Sequence, residues 1–229
     1  TSTGRLNLHG EIVTAATSYD FSSLNSIELE HDLTLGSADI PASIDFGDAT
    51  LNGTYSLTLF SNSIKLGTIG NNEVLQNFTI VSTGDISLNN DIELVGNATI
   101  SAASLTLDNT ITTSGLNVNI ETTGALTMTK DAQIQAEFGD VNLTTHGEGG
   151  NIGLGYIYTK NTVTVRSELG YLYNAIDDYV SNESTSTNIK STNQDLYGLV
   201  SVGTAVDSPI VIRVENNGSI TADSGGTVY

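Results

Sequence analysis

Short runs of the form apolar–polar–apolar recur along the whole chain. Leu33-Thr34-Leu35, Leu57-Thr58-Leu59, Ile64-Lys65-Leu66, Ile86-Ser87-Leu88, Ile92-Glu93-Leu94 and Leu105-Thr106-Leu107 come first. Val118-Asn119-Ile120, Leu126-Thr127-Met128, Ile134-Gln135-Ala136, Val141-Asn142-Leu143 and Val163-Thr164-Val165 follow. Alternation with a period of two is the pattern of a strand with one buried face. Gly, Asn, Asp and Ser fill the gaps between runs, and these residues turn a chain sharply.

The spacing of the runs says more than the alternation. Leu88, Leu107 and Met128 are separated by 19 and 21 residues, and Leu94, Thr113 and Ile134 by the same two intervals. Ile100, Ile120 and Leu143 are separated by 20 and 23. Three tracks therefore advance together through residues 84–145. An antiparallel sandwich has no reason to keep three tracks in phase. The spacing predicts an all-β chain coiled as a right-handed parallel β-helix (a β-solenoid), with about three short strands and roughly 20 residues per coil. Each coil cannot bury its inner face alone, so neighbouring coils must stack.

Residues 1–229 are read as a single β-helix segment, with irregular excursions near 8–24, 146–161 and 167–196. Gly147-Glu148-Gly149-Gly150-Asn151 is expected to widen one turn. The longest irregular stretch, 167–192, contains the best candidate for a helix, at 173–180. The chain begins without Met and ends on Thr227-Val228-Tyr229, which reads as strand interior, so the segment is expected to belong to a larger protein.

Composition supports strands and narrows the partners. Thr, Ser, Ile, Val, Asn and Gly dominate, aromatics are few and Trp is absent, a mixture suited to pleated, half-buried surface. Seven basic residues stand against 26 acidic ones, for a formal charge of -19. Arg5, Lys65, Lys130, Lys160, Arg166, Lys190 and Arg213 form no stripe. Such a surface repels nucleic acid and anionic bilayers, and no stretch approaches the length of a membrane-spanning helix. Cysteine is absent, which suits an export substrate that crosses membranes unfolded. The Asn-x-Ser/Thr triplets at Asn52, Asn77, Asn97, Asn142, Asn182 and Asn217 are read as asparagines stacked at corners of the coil.

Late motifs carry a family resemblance. Gly139-Asp140-Val141-Asn142-Leu143-Thr144-Thr145 is followed by Gly150-Asn151-Ile152-Gly153. Further on, Val202-Gly203-Thr204-Ala205-Val206-Asp207-Ser208-Pro209-Ile210 precedes Gly226-Thr227-Val228-Tyr229. These resemble the strand-and-turn motifs of the filamentous-haemagglutinin-like adhesins and large exoproteins of Gram-negative bacteria. Val202 stands where that family usually has isoleucine, and Asn151 where an acid is commoner. The resemblance implies a β-helix segment of a secreted or surface-anchored fibre on the bacterial outer surface, acting in attachment or biofilm formation. It implies host-cell, polysaccharide or neighbouring-cell partners and further repeats of the same parent chain, and it carries over no catalytic residue.

Reactive chemistry is sparse in the sequence itself. His9, His31 and His146 show no metal-binding spacing, and no serine sits in a nucleophile elbow. The chain is therefore expected not to be an enzyme. The alternative is a carbohydrate-binding or carbohydrate-cleaving β-helix, because hydrolysis needs two acids roughly 5–9.5 Å apart across a sugar. Asp177-Asp178 is the only acidic doublet, and with Tyr171, Tyr173 and Tyr179 it forms the candidate binding site. No cofactor is expected, and Gly149-Gly150-Asn151-Ile152-Gly153 lacks the aspartate of the nonapeptide calcium repeat. Opportunistic calcium on the acidic surface stays open.

Overall fold

A strand of three to five residues with one apolar face needs a partner on each side, and here the partner always comes from the next winding of the chain. The computed structural model describes residues 5–12, 17–176, 187–198, 201–202, 209–216 and 218–228. Among them there is no helix, and parallel sheets stack as a β-solenoid of about eight turns with roughly 20–23 residues per coil. At about 4.8 Å between paired strands, eight turns give a rod on the order of 40 Å long.

Three sheets build the rod; the first extends through all its windings, and the second and third begin at Ile86 and Ile92. The first has 13 strands and includes Ser26–Leu35, Leu57–Lys65, Phe78–Ser82, Ala98–Ala102, Val118–Thr122, Val141–Thr145, Thr162–Ser167, Asn193–Gly198 and Ile220–Ser224. The second has seven, among them Ile86–Leu88, Leu105–Leu107, Leu126–Met128, Ile152–Leu154 and Tyr171–Asn174. The third has six: Ile92–Leu94, Thr110–Thr113, Gln133–Ala136, Tyr156–Tyr158, Ile189–Ser191 and Ile212–Val214.

Two of the three sequence tracks are the observed registers. Leu88 pairs with Leu107 and Leu107 with Met128; Ile100 pairs with Ile120 and Ile120 with Leu143. The third track holds for Leu94 with Thr113 and slips at its second interval. Thr113 pairs with Ala136, and Ile134 pairs with Ile111. The corner between Leu126–Met128 and Gln133–Ala136 holds Thr129, Lys130, Asp131 and Ala132, two residues more than the Asp108-Asn109 corner one coil earlier. An insertion of two keeps every side chain on its own face, so the slip leaves the alternation intact and invisible to it.

The expected helix at 173–180 is also overturned at its start. Tyr173 and Asn174 complete the strand Tyr171–Asn174, which pairs in parallel with Ile152–Leu154; residues 177–180 lie outside the described ones. Within 146–161 the coil continues through Ile152–Leu154 and Tyr156–Tyr158, and the widening is confined to the corner at 146–151. Near the start, Arg5–Ile12 pairs with Ser26–Leu35 across a register shift between Leu8 and Gly10, and Ser18–Asp20 pairs with Ala42–Asp45.

Inward side chains from all three sheets form one dry aliphatic column, in which Leu105, Leu107, Ile111, Val118, Ile120, Leu126, Met128 and Ile134 are buried. Burying a side chain of this size is worth about 1.5–3 kcal/mol against leaving it exposed, and the ordering of the chain offsets most of that sum. Polar residues enter the interior where they can satisfy a turn. The Thr122 hydroxyl donates to the Gly124 carbonyl at 2.7 Å, the Ser167 hydroxyl to the Gly150 carbonyl at 2.6 Å, and the Thr113 hydroxyl to the Leu116 carbonyl at 2.7 Å.

One corner carries a side-chain ladder. The Asn97 amide N–H donates to the Asn77 side-chain oxygen at 2.9 Å, and that of Asn117 to the Asn97 oxygen at 3.0 Å. Asp140 N–H donates to Asn117 at 2.8 Å, and Thr162 N–H to Asp140 at 3.1 Å. Asn97, Asn117 and Asp140 immediately precede strands of the first sheet, and Thr162 is the first residue of one. Gly96 precedes one rung because the Gln76 carbonyl passes there, only 1.9 Å from where a Cβ would sit.

Two pairs of substitutions test this description. Leu107→Asp introduces a charge into the column and is expected to lower unfolding free energy by several kcal/mol or prevent folding, whereas Ser87→Asp on the exposed outer face stays within about 0.5 kcal/mol of the parent in urea titration. Asn97→Ala leaves the Asn117 N–H without an acceptor and is expected to cost about 1–3 kcal/mol; Asn97→Asp, which keeps an acceptor oxygen, costs less. Equal losses for that second pair would break the ladder assignment.

Candidate functional site

Tyr171 and Tyr173 are both outward positions of the second sheet, half-buried, on either side of inward Leu172. Their ring centroids are 5.8 Å apart with planes tilted by 56°. The Tyr173 ring lies directly over Gly153 of the preceding coil, where a Cβ would come within 2.5 Å of the ring carbon Cζ. Glycine at 153 thus makes room for an aromatic lid, and the tyrosine packs down on the coil instead of standing out from it. Asp177, Asp178 and Tyr179 lie outside the described residues. Of the five sequence candidates, the described chain therefore brings together the two tyrosines.

The histidines are less isolated than their spacing suggests. His146 Nδ1 lies 3.0 Å from a Glu168 carboxylate oxygen, and Arg166 Nε donates to the other oxygen at 3.3 Å. These bonds, His146 first, hold the Glu168 carboxyl below its ordinary range. The Arg166 guanidinium also sits 4.4 Å from the Tyr197 ring centroid. Beside it, a cavity of about 220 Å³ on the first sheet is lined by Thr164, Arg166, Asp195, Tyr197, Thr221 and Asp223. The His31 ring stacks obliquely near Tyr55, with centroids 5.7 Å apart, and His9 belongs to the strand Arg5–Ile12.

A further grouping of polar and aromatic side chains lies on the third sheet. Register aligns Thr112, Gln135, Tyr158, Lys190 and Arg213 as one outward track, with Gln133 and Tyr156 in the track beside it. A shallow cavity of about 170 Å³ is lined by Thr112, Thr113, Ser114, Gln135, Glu137 and Tyr158. Two lysines brace it from outside. Lys190 Nζ lies 4.9 Å from the Tyr158 ring centroid and 3.2 Å from Glu215. Lys160 Nζ donates to Glu137 at 2.6 Å and sits 4.3 Å over the ring of Phe138, a residue 57% exposed. The bond to Glu137 raises the Lys160 pKa above its ordinary value, and burial raises that of the Tyr156 phenol, against the opposing pull of Lys190.

Chemically this face offers hydroxyls, a carboxamide, a braced carboxylate and a flat ring, the means to hold a hydroxyl-rich molecule. Among the described residues, no group of three or more His, Asp or Glu is placed to hold a metal ion. Sequence reasoning missed Gln135, Glu137, Tyr156, Tyr158, Lys160 and Lys190. Tyr156-Ile157-Tyr158 and Gln133-Ile134-Gln135 share one pattern, an inward isoleucine between two outward polar residues, but the tracks read from spacing end before residue 156 and do not bring them together.

No protein-family model matches the chain, and comparison with curated proteins and with solved structures likewise finds no match.

Alkaline titration followed at 295 nm checks the environment of Tyr156. Because burial favours the neutral phenol, its folded-state pKa lies above the ordinary value near 10. The stability it contributes is present below that value and is lost as pH rises through the folded pKa. The late part of the tyrosinate transition is expected to disappear in Tyr156→Phe; an unchanged profile refutes the assignment.

Proposed function

We propose that the chain is an adhesive rod segment of a secreted or surface-anchored bacterial fibre, attaching to cells, surfaces or biofilm matrix, and that it acts as a binding scaffold without catalysis. The observation that carries this reading is the in-register stack itself: a filled aliphatic interior holds three parallel sheets whose outward positions repeat from coil to coil. A rod of this kind presents chemistry at fixed intervals along its axis and needs no deep cleft. The packing of Tyr173 over Gly153 supports the scaffold role, since a ring laid on the coil adds flat surface and forms no slot.

The motifs around Gly139-Asp140-Val141 and Val202-Gly203-Thr204 support a place among the filamentous-haemagglutinin-like exoproteins, and with it an extracellular location on the bacterial surface. The partners are then a host-cell, polysaccharide or neighbouring-cell component. The strong negative charge disfavours nucleic acid and anionic membranes and leaves room for opportunistic calcium, with no resident cofactor required.

A second reading, a carbohydrate-binding or carbohydrate-cleaving β-helix, draws support from the cavities on the first and third sheets. Its cleaving form requires two acids flanking a sugar, and Asp195 with Asp223 is the described pair lining one cavity.

Fluorescent beads coated with the purified chain test the primary reading. Retention on epithelial cells, on polystyrene or on biofilm matrix is expected at several times the level of albumin-coated beads. Retention equal to albumin on all three surfaces overturns the adhesive role, and release of reducing ends from soluble polysaccharides that Asp195→Asn abolishes overturns the non-catalytic one.

A further inference from the structure

The third-sheet cavity is a built feature, because its two most specific groups are positioned from outside it. Tyr158 supplies the one aromatic ring in the lining, and Lys190 of the following coil lies against that ring while paired with Glu215. Glu137 supplies the one carboxylate, and Lys160 holds it at 2.6 Å. The Gln135 carboxamide is fixed in turn by donating to the Gln133 side-chain oxygen at 2.8 Å. Each of these three groups thus has its rotamer set before a ligand arrives, which lowers the ordering cost of binding.

The lining also selects a class of ligand. Thr112 and Ser114 add hydroxyls that both donate and accept, so the cavity matches a molecule bristling with hydroxyls of its own. The ring of Tyr158 offers an apolar plane for the flat face of a pyranose. No cation lines the cavity: Lys160 and Lys190 flank it, each paired with an acid. A polyanion would meet the Glu137 carboxylate with nothing in the lining to neutralise it, on a chain whose formal charge is already -19.

We propose that the outer face of the third sheet around Tyr158, Gln135 and Glu137 is a binding subsite for a neutral polysaccharide, with Lys160 and Lys190 as positioning residues. This deepens the adhesive reading and rests on it, naming the place and the chemistry of attachment. The sheet is continuous on both sides of the cavity, with Glu93 one coil before Thr112 and Lys190 one coil after Tyr158. A polymer lying along the axis therefore has further polar contacts at each end.

Affinity electrophoresis of the whole chain, in gels containing hydroxyethylcellulose, xyloglucan, galactomannan or polygalacturonate, tests the subsite. At least one of the three neutral polymers is expected to retard the parent chain, and polygalacturonate is expected not to. Tyr158→Ala and Thr112→Lys should each weaken the retardation at least tenfold, and Lys190→Gln severalfold through loss of the ring's support. Ser87→Asp, on a different sheet, should match the parent. Thermal melts of all variants separate lost binding from lost folding, and Thr112→Lys changes an outward position that the column does not use. Lys190→Gln is expected to weaken retardation while its melt stays within a few degrees of the parent; a loss that follows the melt alone would make Lys190 a merely structural residue. Retardation that survives both Tyr158→Ala and Thr112→Lys overturns the subsite while leaving adhesion intact. No retardation by any neutral polymer, from a chain whose coated beads still attach, overturns the neutral-polysaccharide assignment alone.

Discussion

A winding of about twenty residues has too little volume to shelter its own inward side chains, and its strands have no ladder partners within it. Both shortages are met by the same neighbour. When Leu107 settles between Leu88 and Met128, the stacking that removes its side chain from water also places its backbone in hydrogen-bonding register on both sides. Hydrophobic burial and backbone satisfaction are therefore not separate contributions here; one geometric condition, equal register between successive coils, delivers both. Every other feature of the rod either maintains that condition or exploits it.

The corners maintain it. A loop that varied in shape would shift the next strand and move its apolar set to the wrong side. The ladder through Asn77, Asn97, Asn117 and Asp140 ties the starts of three successive first-sheet strands to the strands before them; the Thr122 and Thr145 hydroxyls hold the turns that follow them, and the Ser167 hydroxyl bonds back to the Gly150 carbonyl one coil earlier. Length is allowed to change at these corners only in ways that leave the faces unaltered. The Thr129–Lys130–Asp131–Ala132 corner adds two residues, and the widened corner at 146–151 still delivers Ile152 opposite Leu126.

That tolerance explains what the sequence disclosed and what it withheld. Strand positions and inward residues were legible because Leu, Ile and Val must recur at every second place. Of the asparagines expected at corners, Asn77 and Asn97 lie there because turn chemistry and stacking restrict the choice, whereas Asn142 lies inside the strand Val141–Thr145 and donates to Asn119, and Asn182 and Asn217 fall outside the described residues. The partner of Ile134 was not legible, since a slip of two residues costs nothing in alternation. The face built from Gln135, Tyr158 and Lys190 escaped because outward residues carry no periodic signal, and only an accurate register brings them together. Attention went instead to Asp177, Asp178 and the nearby tyrosines, where acidic and aromatic residues are adjacent in the chain. In a solenoid, neighbours in space are about one coil apart, so clustering along the chain is a poor guide to a surface site.

The corner ladder has a further consequence. In each rung the oxygen belongs to the earlier winding and the N–H to the later one: Asn77 receives Asn97, Asn97 receives Asn117, and Asn151 likewise receives Tyr171 on another sheet. The molecule consequently has a grammatical direction, in which a finished winding exposes the acceptor that its successor must fill. A chain whose windings form from its amino end would therefore meet each acceptor before the donor that fills it.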